Sequence, residues 1–248
     1  MKKNIVFFTS MDKAPDTLDY KEWCYRSWEV WCKKNDVEIF VLDQELRDKA
    51  VMKPTWQRWH VLEILEHNDI EYDQVAMVDV DTMIHPEAPN FFELTDNKFG
   101  VVGEDVMVEW IYNSITGYQD MFPDVHFDWT TYWNNGFIVV NESHKELCKA
   151  ITDFYYDNEQ ELRQRQHVTL KKGSDQTPVN YMVRKLEVPV AYLDKRWNFT
   201  HMHIRGVLNN ALFLDCAWMY HFNGFEKTLR NNLMKQTWEV MQQRFKLQ

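Results

Sequence analysis

Two aspartates one residue apart, Asp79 and Asp81, end an apolar run that reads Gln74-Val75-Ala76-Met77-Val78. Residues i and i+2 of a strand project to the same face, so strand geometry continued past Val78 sets both carboxylates side by side at the strand's carboxyl end. Like charges that close need neutralising, and a hard divalent cation such as Mn2+ or Mg2+ does so through oxygen ligands. Open α/β sheets bind ligands at the same place, in the crevice beyond the carboxyl ends of their strands. The alternative is a polar strand exit leading into the Pro86 turn. A bare Asp-x-Asp is too short to choose between the two.

The elements around the pair bear on that choice. Asn4 to Thr9 is a short buried run and reads as a strand. Asp16 is a suitable N-cap for a helix in which Tyr20, Cys24, Trp28 and Trp31 recur at helical spacing, ending near Asn35. Val37 to Leu42 then gives a second strand, and a βαβ unit implies a parallel sheet. Pro54 starts a second helix through Trp56, Trp59, Leu62 and Leu65 to about Asn68, and this helix feeds the Val75–Asp79 strand. The acidic pair therefore closes a second βαβ unit.

Further on, Phe99 to Val102 is a strand, and Gly136 to Asn141 is another. Ser143 with Glu146 three residues later forms a capping box for a helix to about Glu161. Ser174 as cap and Pro178 in the first turn start a helix through Lys185, and Val188 to Leu193 is the last strand. From Glu104 to Trp133 the periodicity fails, and the segment mixes acids, turn residues and aromatics; it reads as a binding loop with helical pieces. With no repeat or linker, the expectation is α/β and a single domain over 1–248, a Rossmann-like, mostly parallel central sheet flanked by helices.

Composition narrows the function. The 248 residues are 45% hydrophobic and 27% charged, ordinary for a globular chain. The net charge of −10 argues against nucleic acid, and Lys171-Lys172 is too short to make a basic surface. The four cysteines show no metal-binding spacing and read as reduced thiols of a cytoplasmic protein. The amino-terminal apolar run stops at Thr9-Ser10, and no run approaches the ~20 residues of a membrane span. Aromatic residues reach 15%, with many between Trp110 and Trp133. Such rings can stack on sugars, although they more often fill cores.

Five patterns in order resemble the retaining GT-A glycosyltransferases of family eight, the glycogenin and bacterial galactosyltransferase group. They are the βαβ opening, the Asp79-Val80-Asp81 exit, Asn134-Asn135-Gly136-Phe137-Ile138-Val139-Val140-Asn141, Asp175-Gln176, and His221-Phe222-Asn223-Gly224-Phe225-Glu226-Lys227. The resemblance implies a GT-A fold, with Asp79, Asp81 and His221 holding Mn2+ (or Mg2+) against the diphosphate of a nucleotide sugar. On the donor side it places Val80, Gly224, Lys227, Asn134 and Arg58, with Thr9 and Ser10 beside the uridine. Asp175 and Gln176 lie beside the transferred sugar as the catalytic candidates. Thr228-Leu229 stand where the family has Pro-Trp, Thr177 replaces a second acid, and Asn135 replaces a small residue.

The implied activity is metal-dependent transfer of a hexose, from UDP most simply, to a saccharide or other hydroxyl acceptor with retention. Trp129, Tyr132 and Trp133 are the expected acceptor-stacking rings. Two other classes fit parts of the pattern. A haloacid dehalogenase-like phosphatase also ends a strand in Asp-x-Asp, but Met83 stands where it wants Thr or Val, and no Gly-Asp-x-x-x-Asp follows. A noncatalytic carbohydrate-binding module would use the aromatics alone.

Overall fold

The computed structural model describes residues 2–11, 20–170 and 173–247. The Asp16 cap and the Lys171-Lys172 pair lie outside the described residues. The chain opens as expected, with β1 (Lys3–Thr9), α1 (Lys21–Asn35) and β2 (Glu38–Leu42). The helix expected after Pro54 is split by a 3-10 turn at Arg58–His60 into α2 (Pro54–Gln57) and α3 (Val61–His67). Then come β3 (Tyr72–Val78), β4 (Thr82–Ile84), β5 (Phe99–Gly103), α4 (Val108–Thr116), β6 (Trp133–Asn141) and α5 (Lys145–Gln164). The remainder is α6 (Gln176–Lys185), β7 (Val190–Leu193), α7 (Arg205–Leu208), α8 (Phe213–Cys216), β8 (Met219–His221) and α9 (Lys227–Phe245).

Six strands form one sheet in the order β2-β1-β3-β6-β5-β7. The pairs β1–β2, β1–β3 and β5–β7 are parallel, while β6 runs antiparallel to both β3 and β5. Five strands thus share one direction, and β6 alone opposes them. Alternate residues of β1 serve opposite faces: Ile5 and Phe7 join a cluster with Trp59, Leu62, Ile151 and Val183, whereas Val6 and Phe8 join Trp28, Trp31, Met234 and Trp238. Covering on both faces explains why the strands read as unbroken apolar runs rather than alternating ones.

A second, two-stranded ribbon pairs β4 with β8, with Thr82 opposite His221. Two features of α1 pin it: Trp28 donates its indole N–H to Thr82 Oγ1 at 3.1 Å, and Trp31 donates to the Ala88 carbonyl at 2.9 Å.

Three local expectations are corrected. The cap before α5 is Asn141, not Ser143, because β6 runs straight into a 3-10 turn over Glu142–His144. Asn141 Oδ1 accepts from the Ser143 N–H at 3.0 Å, and His144 Nδ1 accepts from the Asn141 N–H at 3.0 Å, so the box closes with His144 in place of Glu146. Ser174 does not cap α6, whose N-cap is Asp175, and that carboxylate is engaged elsewhere. The 104–133 segment has the helical pieces expected of it, α4 and two 3-10 turns, but it is not an open aromatic loop, since Tyr118, Phe122, Tyr132 and Trp133 are buried in the core.

Candidate functional site

The strand β3 ends at Val78, so the acids are not carried by continued strand geometry. The Asp79 N–H bonds the Gly136 carbonyl on β6 at 3.0 Å, and the chain then turns into β4. The ribbon does the rest, because the Phe222 N–H donates to the Asp81 carbonyl at 2.8 Å and fixes His221 alongside. His221 Nε2 lies 3.2 Å from Asp81 Oδ1 and 3.8 Å from Asp79 Oδ2. One ligand atom from each of Asp79, Asp81 and His221 falls within 4.8 Å of the others. Carboxylate oxygens with one imidazole nitrogen are a donor set suited to Mn2+ or Mg2+.

Hydrogen bonds determine which imidazole nitrogen is available. The Gly136 N–H donates to Asn134 Oδ1 at 2.8 Å, which fixes the orientation of that amide. Asn198 Nδ2 donates to the same oxygen at 3.0 Å, so Asn198 Oδ1 is the atom 2.9 Å from His221 Nδ1. Nδ1 therefore carries a proton, and Nε2 is the nitrogen that faces the acids and would be free to ligate a cation once deprotonated, the usual outer-shell arrangement of a metal-ligating histidine. Gly136 is required here: a Cβ would stand 2.3 Å from His221 Cε1 and 2.8 Å from Asn134 Oδ1.

Charge in the trio is unevenly compensated. Burial tends to raise Asp79, and Arg58 and His221 offset this only in part, so its pKa stays above the usual range. Burial of Asp81 is outweighed by His221 and Arg230, and its pKa is lowered. Burial of His221 is in turn outweighed by Asp81 and Asp79, which raise the imidazole.

Arg58 is buried and bridges two acids rather than projecting freely toward a ligand. Its Nη1 donates to Asp79 Oδ1 at 2.9 Å, and Nη2 and Nε donate to Asp175 Oδ2 at 2.8 and 3.2 Å. Trp59 Nε1 and Asn135 Nδ2 donate to the same Asp175 oxygen at 2.9 and 3.1 Å. Gln176 faces the other way: its Oε1 accepts from the Asn135 N–H and its Nε2 donates to Glu104 Oε2, each at 3.3 Å. Asn134 Nδ2 donates to that same Glu104 oxygen at 2.7 Å.

These residues line a cavity of about 890 Å3 that includes Asp79, Asp81, Asn134, Asp175, Gln176 and His221. A second cavity of about 220 Å3, lined by Thr9, Ser10 and Val80, shares Thr55, Arg58, Asp79 and Asp81 with it. Gly224, at φ +73°, lines the larger cavity. Lys227 does not line either; it is an exposed residue at the start of α9. Three residues along the helix, Arg230 instead brings Nη1 within 3.4 Å of Asp81 Oδ2. Sequence reading overlooked Arg230, although Lys227 and Arg230 at i,i+3 share a helix face.

The acceptor-side aromatics are corrected. Tyr132 and Trp133 are each 1% exposed, with the Tyr132 hydroxyl bonded to Thr177 and the Trp133 indole N–H donating to Asn135 Oδ1, so neither ring face is open. Trp129 is 50% exposed but does not line the cavity, whereas Trp110 does. Glu104, Asn198 and Arg230 are site residues that no sequence motif identified.

The fold is that of solved glycosyltransferases. One is an enzyme involved in glycosylation of the major capsid of PBCV-1, with TM-score 0.61 and 12% identity over 94% of this chain and 99% of that one. The bifunctional glycosyltransferase WbbM gives 0.52 and 14% identity, with 98% of this chain matching 51% of that one. GlyE of Streptococcus pneumoniae TIGR4 gives 0.50 and 12%, covering 99% of this chain and 63% of that one. This chain thus spans about half of WbbM. No family model and no curated protein matches the sequence. Among the described residues no helix is long and apolar enough to cross a membrane, and all four cysteines are free.

Proposed function

We propose that this chain is a metal-dependent glycosyltransferase that moves a hexose from a nucleoside diphosphate sugar, with UDP as the nucleotide, to a hydroxyl acceptor with retention of configuration. The observation that carries the reading is the convergence of His221, in the larger cavity, on Asp79 and Asp81, which line both of two adjoining cavities. The smaller, beside Thr9 and Ser10, suits the nucleoside, and the larger suits the sugar and acceptor. The resemblance to family eight and the shared glycosyltransferase fold support the same reading.

A divalent cation bound by the trio would supply positive charge beside the departing diphosphate. The chain's own residues prepare for it. Arg58 engages one oxygen of Asp79 and leaves the other facing His221, and Asn198 holds a proton on Nδ1 of His221 so that Nε2 is the nitrogen turned toward the acids. Four donors meet one oxygen of Asp175, two of them from the Arg58 guanidinium, so its charge is largely spent in orienting Arg58 and Asn135. That makes it a positioning group rather than a covalent nucleophile. Glu104 is different: the hydrogen bonds it accepts come from neutral groups, the amides of Asn134 and Gln176 and the Asp105 N–H. A carboxylate with its charge uncancelled, held by Asn134 and Gln176 in the cavity wall, suits an oxocarbenium-like sugar.

The test is thermal unfolding with UDP and Mn2+. A ligand at a hundred times its Kd stabilises the folded state by about 2.7 kcal/mol, which for a chain of this size raises Tm by roughly 5–10 °C. The shift should vanish with EDTA. Absence of any metal-dependent shift with any nucleotide would overturn the proposal.

A further inference from the structure

Resting on that reading, we infer that Arg230, rather than Lys227, supplies the side-chain cation that binds the diphosphate of the donor. With the nucleoside in the smaller cavity and the sugar in the larger, the diphosphate crosses the seam between them. Arg230 touches the wall of each. Its Nη1 lies 3.4 Å from Oδ2 of Asp81, a residue that lines both cavities. Its guanidinium carbon is 5.0 Å from the ring centroid of Tyr20, which lines the smaller one. Its Nη2 donates at 3.0 Å to the carbonyl of Phe225, the residue after Gly224 of the larger one. The Lys227 side chain, exposed almost one turn earlier, makes no ion pair among the described residues.

The backbone that carries Arg230 is fixed, while its head is not saturated. Glu226 caps α9 by accepting from the N–H groups of Thr228 and Leu229 at 2.9 and 3.2 Å. Asn231, the next residue along, accepts at 3.1 Å from the indole N–H of Trp23 on α1. Among the described residues the guanidinium makes one hydrogen bond, to Phe225, and its Nε is buried with no partner. The contact with Asp81 at 3.4 Å is an ion pair, longer than the about 2.7–2.9 Å of a charge-assisted hydrogen bond. Buried donors are nearly always satisfied, so a fork of five N–H groups that makes one bond has donors left for a ligand.

Charge balance points the same way. Asp79, Asp81, Glu104 and Asp175 all line the larger cavity, and a nucleoside diphosphate brings further negative charge. Arg58 is divided between Asp79 and Asp175. Arg230 faces one acid only, and that acid is also answered by His221 through its other oxygen, Oδ1. A planar guanidinium meets two phosphate oxygens at once, which an ammonium does not.

Calorimetric titration of the intact protein with UDP at saturating Mn2+ tests this. Arg230→Gln should weaken UDP binding at least ~10-fold, the scale of losing charged hydrogen bonds. Lys227→Ala should weaken it less, and Arg230→Lys, which keeps the charge without the fork, should fall between the two. Titration with Mn2+ alone, followed by electron paramagnetic resonance, should show Arg230→Gln binding the ion at least as tightly as the parent, because a positive charge beside Asp81 has been removed. Far-UV circular dichroism and Tm check folding, and if Arg230→Gln does not fold, the comparison of Arg230→Lys with Lys227→Ala decides. A parent protein that binds no UDP refutes the nucleotide reading and this inference with it. A parent that binds UDP while Arg230→Gln stays within ~3-fold of it, or loses less than Lys227→Ala, overturns this inference alone. Mn2+ binding weakened more than ~3-fold in Arg230→Gln overturns it as well, since Arg230 would then only position Asp81.

Discussion

Replacing Asn198 by alanine removes the group that selects the His221 tautomer. The native amide accepts from Nδ1 at 2.9 Å and donates to Asn134 Oδ1 at 3.0 Å, all within a buried setting. Without it the Nδ1 proton loses its acceptor, the Nε2-protonated tautomer becomes competitive, and that tautomer has no lone pair facing Asp79 and Asp81. Loss of an outer-shell partner of this kind costs about 10–100-fold in metal affinity, which corresponds to ~1.4–2.7 kcal/mol. A buried donor left unpaired adds a stability loss of about 1–3 kcal/mol. Titrating Mn2+ and following the free aquo ion by electron paramagnetic resonance measures the first, and urea unfolding measures the second. Asn198→Asp retains an oxygen to accept from Nδ1 and should keep Mn2+ affinity closer to the parent. If Asn198→Ala binds Mn2+ within threefold of the parent, the tautomer reasoning is wrong.

Three further outcomes follow from the same geometry. Arg58→Ala leaves Asp175 buried without its cation and should destabilise the protein by about 3–5 kcal/mol in urea unfolding; a loss under ~1 kcal/mol would mean that the bridge does not matter. Glu104→Gln keeps the shape but removes the charge, so transfer should fall at least ~100-fold, the scale of removing one preorganised electrostatic group, while the UDP and Mn2+ thermal shift persists; unchanged turnover rules out the role given to Glu104. Burial lowers the His144 pKa from its ordinary 6.5 to about 4, and its Nδ1 must stay unprotonated to accept from Asn141. A depressed folded pKa contributes stability that is complete above about 6.5 and is lost as pH falls toward 4, so the parent should lose about 2 kcal/mol between pH 7 and 5 that His144→Gln does not. Identical pH profiles for the two proteins would remove that assignment.

What could be read in the chain and what could not divide along physical lines. Runs such as Ile5 to Phe8 and Val75 to Val78 announce buried strands because both faces of the sheet are covered, and Trp28 and Trp31 recur at helical spacing because one helix face is buried. Local composition misled where tertiary demand was stronger. The aromatics of 104–133 look like a sugar platform, yet the space beneath α4 and β6 takes up Phe122, Tyr132 and Trp133, and Phe122 stacks on Tyr181 at 4.6 Å. The Asp175 carboxylate, well placed to cap α6, is drawn away by Arg58.

The sequence by itself determined the pairing of strands with helices and the types of residue able to hold a cation, since periodicity and side-chain chemistry are written locally. The motif resemblance already grouped His221 with the two acids, but only the tertiary structure decided how they meet, because that contact depends on a three-residue pairing of β4 with β8, too short to leave a periodic trace. The same holds for Asn198, Glu104 and Arg230. Each acts through a hydrogen bond or charge across long chain separations, and such partners are chosen by proximity after folding.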